Sequence, residues 1–146
     1  MDDTPAPRRP RPVATNAHPI SLMLLTIALT CFAGGLVTDL AYLNSGGNLI
    51  WVNFSSWLLA SGLVFGALAG LALLIGAFRA SGSWLPFVLL LAAWVIELLN
   101  SFVHARDGWT AVSPTGLVLS IIGSILALAS AGIFAFRREP VAGAVS

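Results

Sequence analysis

The sequence of 146 residues contains no lysine, a single cysteine and few charged residues of either sign. Only 9% of its residues are charged, against roughly 25% in a soluble domain. Because so few charges cannot cover a surface that faces water, the composition excludes an ordinary soluble domain. The lone Cys31 excludes an intrachain disulfide and is expected to be a small core residue. A net charge of +1 offers no basic surface to nucleic acid.

Hydrophobic residues make up 58% of the chain. Most of them lie in four apolar runs, at about 20–43, 49–78, 84–104 and 115–136. A helix needs roughly 20 apolar residues to cross a bilayer, and each run is long enough. The short connections require neighbouring helices to be antiparallel. The sequence therefore predicts one all-α domain, residues 18–138, folded as an antiparallel bundle of four transmembrane helices.

Two tails flank this domain. Residues 1–17 are rich in proline and arginine and lack apolar periodicity, which predicts a disordered tail. We interpret this tail as a basic arm that sets topology, and a ligand for a proline-binding domain is the alternative. Residues 139–146 form a short C-terminal tail.

The arginines predict the orientation of the bundle. Six of the seven lie before the first run, between the second and third, or after the fourth: Arg8, Arg9, Arg11, Arg79, Arg137 and Arg138. Only Arg106 lies on the opposite side. Basic residues in short loops mark the cytoplasmic face, so both termini are expected to be cytoplasmic. Three tryptophans fall near predicted helix ends, as in an interfacial aromatic belt: Trp51, Trp84 and Trp109.

Stripes of small residues predict where the helices pack. Apolar burial alone does not hold helices together in lipid, and small residues allow the close approach that does. The second run carries one stripe, which consists of Gly62, Gly66 and Gly70. The fourth run carries two stripes, one of Gly116, Ser120 and Ser124 and the other of Gly123, Ala127 and Ala131. We interpret them as internal seams of the bundle, with a homodimer face as the alternative.

Polar residues within the runs concentrate toward the predicted outer leaflet. Asp39 and Glu97 are the two acidic residues inside the apolar runs. Asn100 and His104 follow Glu97 on the same helical face, and other polar groups lie at a similar level. The candidate polar site comprises Asp39, Tyr42, Asn53, Glu97, Asn100 and His104.

This polar site has two interpretations. An ionisable residue inside a membrane is expensive and usually faces the bundle interior. The site is therefore either a hydrogen-bonded plug or a functional site for a proton, a small ligand or a cofactor headgroup. As a plug, Asp39 would be hydrated near the headgroups and Glu97 would pair with Asn100 or a serine. Glu97 is the better functional candidate because it lies deeper.

No catalytic or cofactor motif is present. The two histidines, His18 and His104, fall on opposite sides of the membrane and cannot ligate one haem within a chain. A metal site at His104 with Asp107 and Glu97 lacks a specific pattern. The sequence also lacks a phosphate-binding loop, a metalloprotease helix and a nucleophile elbow. We therefore expect no enzyme activity, no metal and no cofactor.

A recognisable pattern extends over about residues 18–138. It consists of His18 with Pro19, Trp51, the Gly62/Gly66 helix, and the segments 38–42, 56–59, 98–100, 106–108 and 114–120. In this pattern the chain resembles a family of small bacterial membrane proteins known as domain of unknown function 2231. The resemblance implies four helices in the bacterial inner (cell) membrane. Some members resemble partners of periplasmic quinoprotein dehydrogenases, which implies a role as an anchor or on the quinone side.

The chain departs from the family pattern at three places. Members often carry a histidine and an asparagine early in the third helix, where residues 83–87 contain neither. They often carry an acidic residue after the second helix, where this chain has Arg79. The usual Arg-His after the fourth helix is Arg137 and Arg138 here. These departures argue against a cofactor role that depends on those positions.

Three functions are open at this point. The favoured one is a non-enzymatic anchor or accessory subunit, with the lipid bilayer and a protein partner in a membrane complex as its partners, or a second copy of the chain in a homo-oligomer. The second is a small-solute or proton-linked transporter that uses Glu97 and Asp39. The third is a quinone- or haem-linked redox partner of a periplasmic dehydrogenase.

The predicted topology is tested by reporter fusions. A reporter fused after Ser146 should give a cytoplasmic signal, and one inserted near Trp109 an external signal, because the arginine distribution fixes the orientation. Alkaline phosphatase and green fluorescent protein fusions measure the two sides. The reverse pattern would overturn the outward placement of the polar site.

Overall fold

A computed structural model of the chain describes residues 19–79, 83–106 and 111–136. These residues form four α-helices and no strand: α1 (Pro19–Asn44), α2 (Leu49–Arg79), α3 (Leu85–His104) and α4 (Thr115–Phe136). All four helices are long and apolar enough to span a membrane. The predicted four-helix class is confirmed, and the observed bounds differ from the predicted ones by at most one residue.

Several sequence-based predictions fall outside the described residues. These are the two tails at 1–17 and 139–146, and the residues His18, Asp107 and Trp109. The five arginines of the predicted termini also lie there. The cytoplasmic orientation of the termini therefore stays a prediction. We call the end of the bundle where residues 45–48 join α1 to α2 and residues 111–114 lead into α4 the distal end.

Local sequence explains where the helices begin and end. Gly46 and Gly47 have φ values of +72° and +92°, in the left-handed region that glycine tolerates best, and they end α1. Asn48 then caps α2, because its Oδ1 accepts a hydrogen bond from the Ile50 amide at 3.1 Å. Pro86 lies in the first turn of α3, where its missing N–H leaves no helical hydrogen bond unmade.

Each helix packs against two neighbours, in the cyclic order α1, α2, α3, α4. Helices α1 and α2 run in opposite directions. Gly35 packs against Leu59, whereas Phe32, earlier in α1, packs against Gly62, later in α2. Asn100 of α3 likewise contacts Ser120 of α4, and Pro86 near the start of α3 contacts Ser130 near the end of α4. The neighbours are therefore antiparallel.

The glycines of α2 differ in what surrounds them. A Cβ at Gly62 would lie 2.6 Å from the ring of Phe32, and one at Gly66 would lie 3.1 Å from Trp94. These two glycines occupy close contacts inside the bundle. A Cβ at Gly70 would meet its nearest neighbour, Leu90, only at 4.0 Å. Gly70 instead lies beside a cavity of about 280 Å³ between α2 and α3.

The middle of the bundle consists of two apolar layers. The first contains the buried residues Ala28, Phe32, Leu59, Ala93 and Ala127. The second, farther from the distal end, contains Leu25, Ala69, Leu73 and Leu90. The polar residues singled out from the sequence all belong to the part of the bundle between the first layer and the distal end. The fold thus separates a polar distal part from an apolar middle.

Candidate functional site

Asp39 lies inside the bundle and is fully buried at 0% exposure. It precedes the last residue of α1 by five positions, which places it about 8 Å along the helix from the distal end. The interpretation that Asp39 is hydrated near the headgroups is therefore wrong. Its face of α1 is turned toward the other three helices, which supply its partners.

The Asp39 carboxylate accepts hydrogen bonds from one side chain on each of the other helices. Ser55 Oγ of α2 lies 2.5 Å from Oδ1, and Ser120 Oγ of α4 lies 2.6 Å from Oδ2. His104 Nε2 of α3 lies 2.8 Å from Oδ1. A single carboxylate therefore joins all four helices. We call Asp39, Ser55, Glu97, Asn100, His104 and Ser120 the distal network.

Both ring nitrogens of His104 face hydrogen-bond acceptors. Nδ1 lies 3.0 Å from the main-chain oxygen of Asn100, and Nε2 faces Asp39. A carbonyl oxygen only accepts, so Nδ1 carries a proton, and a second proton lies between Nε2 and the carboxylate. The pair is then either imidazolium with carboxylate or imidazole with carboxylic acid. Both arrangements give His104 and Asp39 together a net charge of zero.

Asn100 connects this pair to Glu97. Its Nδ2 donates to Glu97 Oε2 at 3.0 Å and to Ser120 Oγ at 2.8 Å. Glu97 and Asn100 are both fully buried. Three buried polar atoms nearby have no hydrogen-bond partner among the described residues, namely Glu97 Oε1, Asn100 Oδ1 and Ser124 Oγ. The network is therefore complete around Asp39 and incomplete around Glu97.

The carboxyl group of Glu97 packs directly on the backbone of α4. A Cβ at Gly123 would overlap Glu97 Oε1 and lie 2.5 Å from its Cδ. Gly123 is therefore the residue that leaves room for the Glu97 side chain. Gly116, two turns closer to the distal end, leaves room first for the main-chain oxygen of Ala111, which an added Cβ would overlap, and then for His104, whose Cε1 would lie 3.0 Å from that Cβ.

An apolar cluster covers the network at the distal end. Tyr42, Val52, Ala111 and Val112 are buried there, and Trp51 and Leu117 pack against them. Leu117 N donates to the main-chain oxygen of Val112 at 2.7 Å, which ties the segment before α4 to the helix. This cover leaves His104 only 4% exposed.

The structure brings most of the predicted site residues together. Asp39, Glu97, Asn100 and His104 belong to one hydrogen-bonded network, and Tyr42 lies in the cover above it. Asn53 does not join them, because it is exposed on the outer face of α2. The α2 residue that reaches Asp39 is Ser55, two positions later.

Two contacts of the network were not predicted from the sequence. Ser120 was predicted to lie in a packing stripe, whereas its hydroxyl bridges Asn100 and Asp39. The contact between Asp39 and His104, which are 65 residues apart, was not predicted either. The available signal was that Ser120 and His104 occupy faces that an antiparallel α3–α4 pair turns toward α1.

The chemistry of the network is that of proton binding and hydrogen bonding. The described residues include no group of three or more His, Cys, Asp or Glu side chains that could hold a metal ion. His104 would have to give up the hydrogen bond to Asp39 or to Asn100 before either nitrogen could ligate a metal.

The family described as a predicted membrane protein (DUF2231) matches residues 15–134 of the chain. The chain belongs to this family. The matched residues include all six members of the distal network and all four helices except the last two residues of α4. No curated protein and no solved structure gives a significant match.

We predict that Gly123→Ala destabilises the bundle by about 1–3 kcal/mol, because the added methyl group displaces Glu97. Equilibrium unfolding in mixed micelles of SDS and a mild detergent measures the change. Gly132→Ala is the matched control on the same helix, since nothing lies within 4 Å of its Cβ position. Equal stability of the two variants would show that Glu97 does not depend on Gly123.

Proposed function

We propose that this member of the DUF2231 family is a non-enzymatic accessory or anchor subunit of a membrane assembly in the bacterial inner membrane. The protein contributes a rigid four-helix body whose lateral apolar surface binds a partner helix within the bilayer. The observation that carries this proposal is the division of the bundle into a closed polar distal part and an apolar middle.

The apolar middle argues against a transport path. Two successive layers of buried hydrophobic side chains separate the distal network from the other end of the bundle. Among the described residues, the buried polar side chains outside the distal part are the hydroxyls of Ser21 and Ser130, at about the level of the second layer, and Ser130 is bonded to the main-chain oxygen of Pro86. An ion or polar solute would therefore have to cross two apolar layers, at a large desolvation cost. This favours the subunit over the transporter that would use Glu97 and Asp39.

The redox alternative is also less well supported. The haem considered from the sequence has histidine ligands, and both nitrogens of His104 are engaged in buried hydrogen bonds. The other histidine, His18, lies outside the described residues. In the quinone form of this alternative, a headgroup near Glu97 would first have to displace the apolar cover that includes Tyr42 and Val112.

We propose the cavity between α2 and α3 as the surface on which the partner helix packs. It is lined almost wholly by apolar side chains, and Gly66 and Gly70 form its floor on α2. Leu71 and Leu91 line it and are about half exposed, so the cavity opens to the side of the bundle. Small residues at a lipid-facing surface allow a second helix to approach closely. We therefore place the partner here.

We predict that filling this cavity disrupts the assembly. Gly70→Leu should reduce the amount of the native complex at least tenfold, because its side chain occupies the space of the partner. Native electrophoresis in mild detergent and a photo-crosslinking residue at position 71 measure the complex. Gly132→Leu, at an equally open helical position, and a crosslinker at the exposed Ile125 are the controls.

The outcomes separate the alternatives. A defined protein crosslinked from position 71 and not from position 125 supports the accessory subunit. A crosslink between two copies of the chain identifies a homo-oligomer. A chain that is monodisperse and monomeric in mild detergent, without a crosslinked protein, contradicts the proposal.

A further inference from the structure

Glu97 is an uncompensated acidic group in the middle of a buried network. The ionisable groups within electrostatic range of it are Asp39 and His104. These two already neutralise each other, since His104 holds both ring protons or shares one with the carboxylate. The part of α2 in the network adds only the Ser55 hydroxyl, and α4 adds Ser120 and Ser124. An ionised Glu97 would therefore leave one net negative charge inside the bundle.

A buried net charge of this kind is strongly unfavourable in a membrane. Ionisable groups inside a bundle pair with an opposite charge, contact water or become neutral. Glu97 is fully buried, and no described basic side chain contacts it. One positive charge must therefore be bound at this carboxyl for the packed structure to be neutral.

The positive charge bound at Glu97 could be either a proton or an alkali-metal cation. A metal cation needs space and several oxygen ligands around it. The side of Glu97 Oε1 that faces α4 has no such space, because an added Cβ on Gly123 would overlap this oxygen. A proton needs no extra volume. The three unpartnered atoms of Glu97, Asn100 and Ser124 also include acceptors for an acidic proton, once the Asn100 amide or the Ser124 hydroxyl rotates.

We propose that Glu97 is a proton-binding site at which one exchangeable proton is held between α3 and α4. The neutral carboxyl is the form that packs on Gly123 and hydrogen-bonds to Asn100. Loss of the proton leaves a buried negative charge, so α3 and α4 separate locally or admit water at this level. The apolar layers confine exchange to the distal end. Glu97 therefore couples the proton concentration at that face to the packing of α3 against α4, without conducting protons across the membrane.

Infrared spectroscopy with isotope labels tests the proposal directly. Protonated carboxylic acids give a C=O stretching band that carboxylates lack. The purified full chain in lipid nanodiscs at neutral pH should show this band, and ¹³C-labelled glutamate should shift it while ¹³C-labelled aspartate should not. The chain contains only one other glutamate, Glu139, so Glu139→Gln is the matched control that keeps the band. Glu97→Gln, a neutral isostere, should abolish it.

A second measurement does not depend on spectroscopy. Because the folded chain retains a proton that an exposed carboxyl has lost at neutral pH, stability should fall as the pH rises. For one proton, the unfolding equilibrium constant of the native chain should rise by up to about tenfold per pH unit relative to Glu97→Gln, until Glu97 ionises in the folded state. The comparison removes the contribution of Asp39 and His104, which both proteins share.

Three results would overturn the proposal. A band that shifts only with labelled aspartate, with no glutamate component, would show that the carboxylic acid is Asp39 and that Glu97 is ionised. The absence of any carboxylic acid band at neutral pH in the folded chain would show that Glu97 is ionised. Selective stabilisation by sodium over choline would identify a metal cation as the bound charge.

Discussion

The hydrogen bonds to the Asp39 carboxylate are the interaction on which the rest of the structure depends. Lipid provides no hydrophobic force that drives apolar helices together, so register must come from close packing and from polar contacts. A carboxylate at 0% exposure is costly unless its oxygens are matched. The observed register of the four helices brings Ser55, His104 and Ser120 to it at once. The cost of isolating Asp39 therefore selects the register of the bundle.

This constraint explains the two other features of the distal network. His104, Ser55 and Ser120 together satisfy the Asp39 oxygens, and the His104–Asp39 pair has no net charge. Glu97 then has no charged partner left and packs against the glycine backbone of α4. The asymmetry between a satisfied aspartate and an unsatisfied glutamate gives them different roles. Asp39 holds the helices together, and Glu97 responds to protons.

Hydropathy and short loops were sufficient to predict four antiparallel helices, because chain length and polarity alone determine which segments cross a bilayer. The position of the polar site along the bundle could also be predicted, since Asp39 and the face of α3 that carries Glu97, Asn100 and His104 lie at similar depth. The prediction that Asn53 belongs to the polar site was wrong because of the rotation of α2 about its own axis. A shift of two residues turns a helix by about 200°, so Asn53 faces outward where Ser55 faces Asp39. Helix rotation depends on packing against neighbours, which a single sequence does not specify.

The most direct test of the central claim is the free energy of unfolding of Asp39→Asn in mixed micelles. We predict a loss of about 3–5 kcal/mol, because the substitution leaves His104 without its charged partner inside the bundle. Thr38→Val is the matched control, since the Thr38 hydroxyl bonds only to the main chain of its own helix, and it should cost less than about 1 kcal/mol. An Asp39→Asn protein as stable as this control would contradict the account.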